Sequence, residues 1–354
     1  MTDDSKAKVI PLHRNSGRPV EHRRAVQRAA ASRRHPSLAD PGQRASAEQI
    51  AAVVREIDQR RDAAGMGGSA EPAVGDFAER VAAVVAFLRE RITGDYSVDE
   101  FGFDPHFNEA IALPVLRVLY NSWFRVEVSG IENLPETGAA LVVANHAGVL
   151  PIDALMTSVA VHDEHPTNRT LRLLAADLVF DLPVISSAAR KAGSTMACTA
   201  DAHRLLEAGE LTAVFPEGYK GLGKHYRDRY KLQRFGRGGF VSAALATGAP
   251  IVPCSIVGSE EIYPMIADFK LLARLLGVPY FPITPLFPLA GPAGLVPLPS
   301  KWHIAFGEPI ETVDYGPGAA EDPMITFEVT DQVRETIQHT LYRLLAGRRG
   351  VFFG

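Results

Sequence analysis

The stretch Ala139-Ala-Leu-Val-Val-Ala144 is followed directly by Asn145-His146. A short apolar run without charged residues is typical of a strand that is buried on both faces of a sheet. Pro151 suits the first position of a helix, which we predict to continue to Val161. A buried strand that leads through a short loop into a helix is the repeating unit of α/β proteins.

The same alternation of strand and helix extends along the chain. Because strands separated by helices pair in parallel, we predict an α/β fold with a mostly parallel central sheet flanked by helices. Ligands of such sheets bind where strands end and helices begin. The predicted strands are 125–128, 139–144, 170–175, 211–215, 251–257 and 301–306, and the later helices are 200–208, 240–247 and 329–345.

Two amphipathic segments precede the sheet and predict an N-terminal helical hairpin. Apolar residues recur at helical spacing from Phe77 to Leu88, and a second helix is expected from Phe107 to Arg125. The wide apolar arc of the second helix fits either core packing or an anchor in the plane of a membrane.

Residues 1–70 are rich in Lys and Arg and poor in large apolar residues. They fit a solvated, disordered leader, a polybasic segment attracted to anionic lipid, or both. We therefore divide the chain into a disordered basic tail (1–70), amphipathic helices that face a membrane (71–125) and an α/β domain (126–354).

The composition argues against several classes of protein. A net charge of −4 over 354 residues is unlike that of a dedicated nucleic-acid binder, so no nucleic-acid partner is expected. Cys198 and Cys254 cannot form a disulfide framework, and no Cys/His cluster has zinc-ligand spacing. We expect two small core cysteines, no metal site and a reducing cytoplasm. Neither a signal peptide nor an apolar run of about 18 to 20 residues, the length of a spanning helix, is visible.

The first candidate site is the pair His146 and Asp153. A strand ending at Ala144 puts His146 at the carboxyl edge of the sheet, and Asp153 falls in the first turn of the next helix. Histidine can accept a proton from a hydroxyl near neutral pH, and a carboxylate on its other nitrogen fixes the tautomer. The same spacing also fits a helix-capping Asp beside an unrelated His.

The second candidate site is the turn Phe215-Pro-Glu-Gly-Tyr-Lys-Gly221. It places the carboxylate of Glu217 and the cation of Lys220 together at the sheet edge, where a polar turn without a function is the alternative. A basic run closes on the glycine-rich turn from Phe235 to Phe240; its members are Lys220, Lys224, Arg227, Arg229, Lys231, Arg234 and Arg237. Glycines before a helix expose N–H groups to an anion, and arginines such as Arg234 and Arg237 bind phosphate, so we predict a phosphate site.

One strand carries an exception to its apolar pattern. Pro253 lies within the predicted strand 251–257. Proline cannot donate to a sheet ladder, which predicts an edge strand or a bend.

The order of these motifs resembles the lysophosphatidate/glycerol-phosphate acyltransferase family. Asn145-His146 with a downstream Asp, then Phe-Pro-Glu-Gly at 215–218, then Ile-Val-Pro at 251–253 carry the resemblance, which spans about 76–310. It implies an O-acyltransferase in which His146 deprotonates a lipid hydroxyl that attacks the thioester of acyl-CoA directly, with Asp153 orienting His146. No cofactor is implied, since acyl-CoA is a co-substrate.

The resemblance also implies substrate contacts. Glu217 and Gly218 match the block that holds the acceptor, and Lys220 falls where that block carries an Arg for the acceptor's phosphate. Arg234 and Arg237 lie in the basic run that either compensates for weaker phosphate contacts or holds the phosphates of CoA. Backbone N–H groups near Gly148 or Gly218 are candidate oxyanion donors.

The chain departs from the family pattern at three places. Six residues separate His146 from Asp153 where the family usually has four, and we expect the loop from Gly148 to Pro151 to absorb them. The family's second block has an Arg shortly after a Gly, whereas no Arg occurs in the six residues after Gly193, Ser194-Thr-Met-Ala-Cys-Thr199. Tyr219-Lys220 replaces the Thr-Arg of the acceptor block. The last two departures leave open a neutral acceptor, such as monoacylglycerol, diacylglycerol or another alcohol.

Membrane contact is expected at the second helix and at the apolar loop 269–299, which alternatively forms a lid over the acyl chain. A peripheral position on the cytoplasmic face of the membrane follows as the expected location. Two rival functions are a serine hydrolase, for which no Gly-x-Ser-x-Gly elbow is present, and a non-catalytic lipid-binding protein.

Overall fold

The computed structural model describes residues 97–353, apart from 237 and 317 and the side chains of 183 and 184. The predicted basic tail and the first helix of the predicted hairpin lie outside the described residues. The domain boundaries therefore stay a prediction.

The centre of the molecule is a seven-stranded sheet. Its strands lie in the order β1-β9-β6-β2-β5-β3-β4, and every neighbouring pair is parallel except β6 and β9. The strands are β1 (Glu127–Ser129), β2 (Ala140–Ala144), β3 (Leu171–Ala175), β4 (Ser194–Met196), β5 (Leu211–Val214), β6 (Ile251–Val257) and β9 (His303–Phe306). The predicted α/β fold with a mostly parallel sheet is confirmed.

Between β6 and β9 the chain leaves the sheet. Two short strands, β7 (Ala267–Asp268) and β8 (Pro282–Ile283), pair with each other in a separate antiparallel ladder. A short helix lies between them, and a 3₁₀ turn (Gly291–Leu295) follows.

The helices flank the sheet on both faces. They are α1 (Ile152–Glu164), α2 (Asp177–Asp181), α3 (Pro183–Lys191), α4 (Thr199–Glu207), α5 (Tyr219–Leu222), α6 (Gly239–Thr247), α7 (Lys270–Leu276) and α8 (Pro323–Gly347). The helices α2, α3, α5 and α7 and the strands β4, β7 and β8 were not predicted. No helix among the described residues is long and apolar enough to cross a membrane.

The second helix of the predicted hairpin is present as a mixed helical segment that spans residues 105–123. Its α-helical parts are Pro105–Phe107 and Leu113–Arg117, and its π-helical parts are Asn108–Ala112 and Val118–Trp123. The first π-helical part ends at Ala112, two residues before Pro114. Proline has no backbone N–H to donate to a helical hydrogen bond, and its ring clashes with the preceding turn. Leu113 and Tyr120 are buried while Val115 and Val118 are exposed, so one face packs on the core and the other does not.

Two apolar cores lie on opposite faces of the sheet. Alternate side chains of β2 point to opposite faces, so Val142 joins one core and Val143 the other, and all of β2 is buried. The first core packs against the N-terminal helical segment and α1, and the second against α4, α6 and α8.

The edge position predicted for Pro253 and the core position predicted for Cys198 were wrong. Pro253 lies in β6, an interior strand, because its missing N–H faces the irregular chain after β9, where Gly307 donates to the Pro253 carbonyl at 2.7 Å. Cys198 is exposed, and its Sγ caps α4 by accepting from the Asp201 N–H at 3.4 Å. The buried position predicted for Cys254 is confirmed.

Candidate active site

His146 follows the carboxyl end of β2 directly and is held there by its neighbour. The Asn145 side chain accepts from the Ile256 N–H at 2.7 Å and donates to the Ile256 carbonyl at 3.0 Å. This fully buried amide continues the ladder between β2 and β6 for one more residue. Asn145 therefore fixes the direction in which the chain leaves the sheet, a role that the sequence motif did not reveal.

His146 and Asp153 are in contact. The Nδ1 of His146 lies 2.8 Å from the Oδ2 of Asp153, and the Asp153 side chain is fully buried. Asp153 also accepts from the Ala147 N–H at 2.8 Å and lies in the first turn of α1, where the helix dipole stabilises an anion. The Nε2 of His146 has no hydrogen-bond partner in the part of the chain that the structure describes, and the side chain is about one-tenth exposed. The ring can therefore accept a proton on Nε2 while Asp153 holds Nδ1.

The loop absorbs the two extra residues between His146 and Asp153 by folding back on itself. Leu150 donates to the Gly148 carbonyl at 2.5 Å and Ile152 to the Leu150 carbonyl at 2.7 Å, which makes two successive three-residue turns. Gly148 has a φ of 95°, and a Cβ there would lie 2.7 Å from the Ser259 carbonyl oxygen. Glycine is therefore required both by the backbone angle and by the close approach.

Val149 has a φ of 62°, a costly conformation for a β-branched residue. Its N–H donates to the Leu222 carbonyl at 3.1 Å, and its carbonyl accepts from the Tyr280 hydroxyl. These contacts hold the strained residue from two sides. Tyr280 comes from the chain that follows α7, so that part of the molecule contacts the His146 loop directly.

Glu217 contacts the same loop through the backbone of His146. Its Oε1 accepts from the His146 N–H at 3.0 Å, and its Oε2 accepts from the Gln233 N–H at 2.5 Å. The Glu217 side chain is fully buried, and the Nζ of Lys224 lies 3.4 Å from its Oε2. We expected Glu217 to face an acceptor beside Lys220. In the structure its carboxylate is buried and contacts the His146 and Gln233 N–H groups and Lys224.

Lys224 is the centre of a buried ionic cluster. Its Nζ also lies 3.0 Å from the Oε1 of Glu260, which accepts from the Tyr230 N–H at 2.9 Å. Burial alone would lower the pKa of Lys224, but the carboxylates of Glu260 and Glu217 more than offset this and raise it. Burial raises the pKa of Glu260 to about 7 although Lys224 opposes the shift. Lys224, which the sequence placed in the basic run, is not free to bind phosphate.

The residues that pack against His146, which are Phe215, Glu217 and Gly221, are closely packed. A Cβ on Gly221 would lie 2.5 Å from the His146 carbonyl oxygen and 2.8 Å from the Cβ of Glu217, so only glycine fits there. The ring of Phe215 lies 4.7 Å from the His146 ring, centroid to centroid. The Phe-Pro-Glu-Gly turn thus forms the packing surface on which the histidine rests.

The remaining predicted contact residues lie on the surface or outside the described residues. Lys220 is exposed on α5. Arg234 is exposed and lines a groove of about 700 Å³ with Gly236, Gly238 and Arg334, but Glu321 and Asp331 also line it. Arg237 lies outside the described residues. The predicted phosphate site therefore stays a prediction.

The two candidate oxyanion donors differ. The Gly218 N–H donates to the Phe215 carbonyl at 2.9 Å and is already used. The Gly148 N–H is buried beside His146 and has no acceptor among the described residues. No group of three or more His, Cys, Asp or Glu side chains in the described part of the chain is arranged to hold a metal ion.

Comparison with known proteins gives both a family model and relatives. A model described as Acyltransferase matches residues 125–257. An uncharacterised protein of Mycobacterium tuberculosis (strain H37Rv) is 75% identical over 353 residues, which is 99% of this chain and 98% of that protein.

The names of two more distant relatives state a function. The DGAT1/2-independent enzyme synthesizing storage lipids of Bos taurus is 26% identical over 219 residues, 61% of this chain and 59% of that protein. The chloroplastic 1-acyl-sn-glycerol-3-phosphate acyltransferase BAT2 of Brassica napus is 27% identical over 153 residues, 40% of each chain.

Proposed function

Because this chain belongs to the glycerolipid acyltransferase family, we propose that it transfers a fatty acyl group from acyl-CoA to the hydroxyl of a lysophosphatidate-like lipid. The observation that carries the proposal is the 2.8 Å contact between His146 Nδ1 and Asp153 Oδ2, with Nε2 left without a partner among the described residues. This arrangement supports a general base at the edge of the sheet.

The reaction needs no covalent enzyme intermediate. His146 Nε2 takes the proton of the acceptor hydroxyl as its oxygen attacks the thioester carbonyl carbon. Asp153 stabilises the imidazolium that forms, and the Gly148 N–H is the oxyanion donor that we propose for the tetrahedral intermediate. The carbon–sulfur bond then breaks, and the imidazolium returns the proton to the leaving sulfur, which gives an ester and free CoA.

Lys220 is the cation that we assign to the acceptor's phosphate. It is exposed on α5, next to Gly221, whose Cα lies against the backbone of His146. We propose that the protein is a peripheral enzyme at the cytoplasmic face of the membrane. There it would meet both the lipid acceptor, which resides in the bilayer, and the acyl-CoA donor.

A neutral acceptor, such as monoacylglycerol or diacylglycerol, is the second candidate. Two observations favour it: Lys224 is withdrawn from the basic run into a buried cluster, and no Arg occurs in residues 194–199, directly after Gly193. The bovine relative is also named for storage lipids.

One assay separates these alternatives. The purified chain is mixed with acyl-CoA and vesicles that contain either lysophosphatidate or monoacylglycerol, and release of free thiol is followed. We expect faster release with lysophosphatidate, and a higher KM for it in Lys220→Gln with kcat nearly unchanged. Release with monoacylglycerol alone would assign the neutral acceptor. Binding of both lipids without release would make the chain a lipid-binding protein and overturn the proposal.

A further inference from the structure

The chain between β6 and β9 exposes an unusual amount of apolar surface. We call residues 266–299 the apolar excursion. Its leucines Leu271, Leu275 and Leu289 are 71%, 80% and 89% exposed, and further exposed large side chains are Ile266, Phe269, Leu276, Leu286, Leu295 and Val296. Large exposed apolar surface on a protein is typical of a site of protein or membrane contact.

The excursion is an ordered element. At its base, Ile266 donates to the Ile283 carbonyl at 2.8 Å and Phe269 to the Phe281 carbonyl at 2.9 Å. The Phe281 N–H donates to Asp268 at 3.0 Å. Of α7 itself, only Ala273 is buried, so the helix is fixed at its base while its leucines point away from both cores.

The charged side chains of the excursion after Asp268 are all positive. Residues 269–299 contain two cations, Lys270 and Arg274, and no Asp or Glu. Both cations are exposed on α7, among its exposed leucines. An apolar surface with cations and without carboxylates complements an anionic bilayer, whose headgroups attract Lys and Arg while its interior accepts leucine.

The excursion contacts the candidate active site. Tyr280 donates through its hydroxyl to the Val149 carbonyl in the His146 loop. A Cβ on Gly223 would lie 2.7 Å from the Tyr280 ring, so that ring packs on the chain just after α5. A lipid held at the excursion would therefore lie next to the loop that carries His146.

The surface continues onto the N-terminal helical segment. The Trp123 indole N–H donates to the Pro297 carbonyl at 2.9 Å, and Arg125 donates to the Pro299 carbonyl at 2.9 Å. Trp123 is 37% exposed, and Val296, which precedes Pro297 in the chain, is also exposed. Trp is favoured at membrane interfaces, where its ring and its N–H meet different environments.

From these contacts we infer that the apolar excursion is the surface that docks on an anionic lipid bilayer, with α7 inserted and Trp123 at the interface. The inference rests on the proposed function only for the role of the docked lipid as acceptor. Docking places the His146 loop at the bilayer, so an acceptor reaches the base without leaving the membrane.

Vesicle sedimentation tests the inference without any acyl transfer. The full chain is mixed with vesicles of phosphatidylcholine and phosphatidylglycerol in equal parts, and with phosphatidylcholine alone. We expect binding to the anionic vesicles, and a loss of roughly tenfold or more in affinity for the triple variant Leu271→Ser, Leu275→Ser, Leu289→Ser. The control is Val313→Ser, Met324→Ser, Tyr342→Ser, which removes exposed apolar side chains from other elements and should bind as the wild type does.

A fluorescence measurement covers the case in which the triple variant fails to fold. In a Cys198→Ser background, which keeps a capping side chain on α4, Leu275→Cys is labelled with an environment-sensitive dye and compared with Tyr342→Cys. We expect a blue shift on addition of anionic vesicles at position 275 and none at 342. A dye at 275 that is shielded before vesicles are added means that this chain or a second copy covers the surface, and it overturns the inference.

The failures of the two proposals are distinguishable. Wild-type vesicle affinity in the triple variant, or no binding by the wild type, overturns the docking surface whatever the activity. A triple variant that becomes monomeric from a dimer while its vesicle affinity stays unchanged assigns the surface to a second copy. Vesicle binding without thioester consumption overturns the proposed function alone.

Discussion

The backbone N–H of His146 lies 3.0 Å from the Oε1 of Glu217, so a carboxylate 71 residues further along the chain holds the proposed base. Glu217 is in turn held by the Gln233 N–H and by Lys224. The Pro-Glu-Gly turn at the end of β5 and the His146 loop at the end of β2 are neighbours because β2 and β5 are paired in parallel. The sheet therefore brings the two motifs together at one edge.

Glu217→Ala should lower kcat by about tenfold or more and reduce the thermal midpoint, because the His146 loop and Lys224 lose a buried partner. Glu217→Gln is the matched control, since its amide oxygen can still accept from the His146 N–H. Steady-state kinetics and thermal unfolding measure both effects. A variant with an unchanged midpoint and only a raised acceptor KM would show instead that Glu217 contacts the acceptor.

Lys224→Met should destabilise the fold by about 3–5 kcal/mol, because it leaves the buried carboxylates of Glu217 and Glu260 without their cation. Lys220→Met is the matched control, since that side chain is exposed, and it should change the free energy of unfolding by less than about 0.5 kcal/mol. Urea unfolding of the two variants gives the comparison. Equal effects would contradict the burial of Lys224.

These two lysines mark the limit of what the sequence alone predicts. The strand before His146, the helix after Pro151 and the contact with Asp153 depend on local pattern and were predictable. Lys220 and Lys224 look equivalent in sequence. Lys224 is the one that contacts both Glu217 and Glu260, and Glu260 lies 36 residues further along the chain. The interior position of Pro253 also depends on a contact that is distant in sequence, because β6 is an interior strand only when β9 pairs with it.

Local pattern failed where a short element changed the local environment. Cys198 was expected in the core, but the unpredicted strand β4 ends at Met196 and leaves Cys198 at the exposed start of α4. The role of Asn145 was missed because its side chain bonds only to backbone on β6, a contact that no spacing within the motif reveals.

Stability should depend on pH through Glu260. Burial raises its pKa to about 7, above the ordinary value of 4.5, so between these values the folded chain holds a proton that the unfolded chain has lost. The free energy of unfolding of the wild type should therefore fall as pH rises from about 5 to about 7, by roughly 1–3 kcal/mol. Glu260→Gln should lose this part of the slope. Urea unfolding at several pH values tests it, and equal slopes in the two proteins would contradict the assignment.

Gly221→Ala should remove most of the activity and destabilise the fold by about 1–3 kcal/mol, because the new methyl group would lie 2.5 Å from the His146 carbonyl oxygen. Gly236→Ala is the control, since the nearest atom to a Cβ there is 4.0 Å away. Thermal unfolding and thiol release measure both variants. An active, stable Gly221→Ala protein would contradict the close contact between Gly221 and the His146 backbone.

The central claim is that His146, held by Asp153, is the base of an acyl transfer. Its most direct test is the rate of thiol release by His146→Ala, in the presence of acyl-CoA and lipid acceptor, after unfolding curves have established that the variant is folded. The account predicts a rate about 10²- to 10⁴-fold below that of the wild type. A folded His146→Ala protein that transfers the acyl group at the wild-type rate would contradict it.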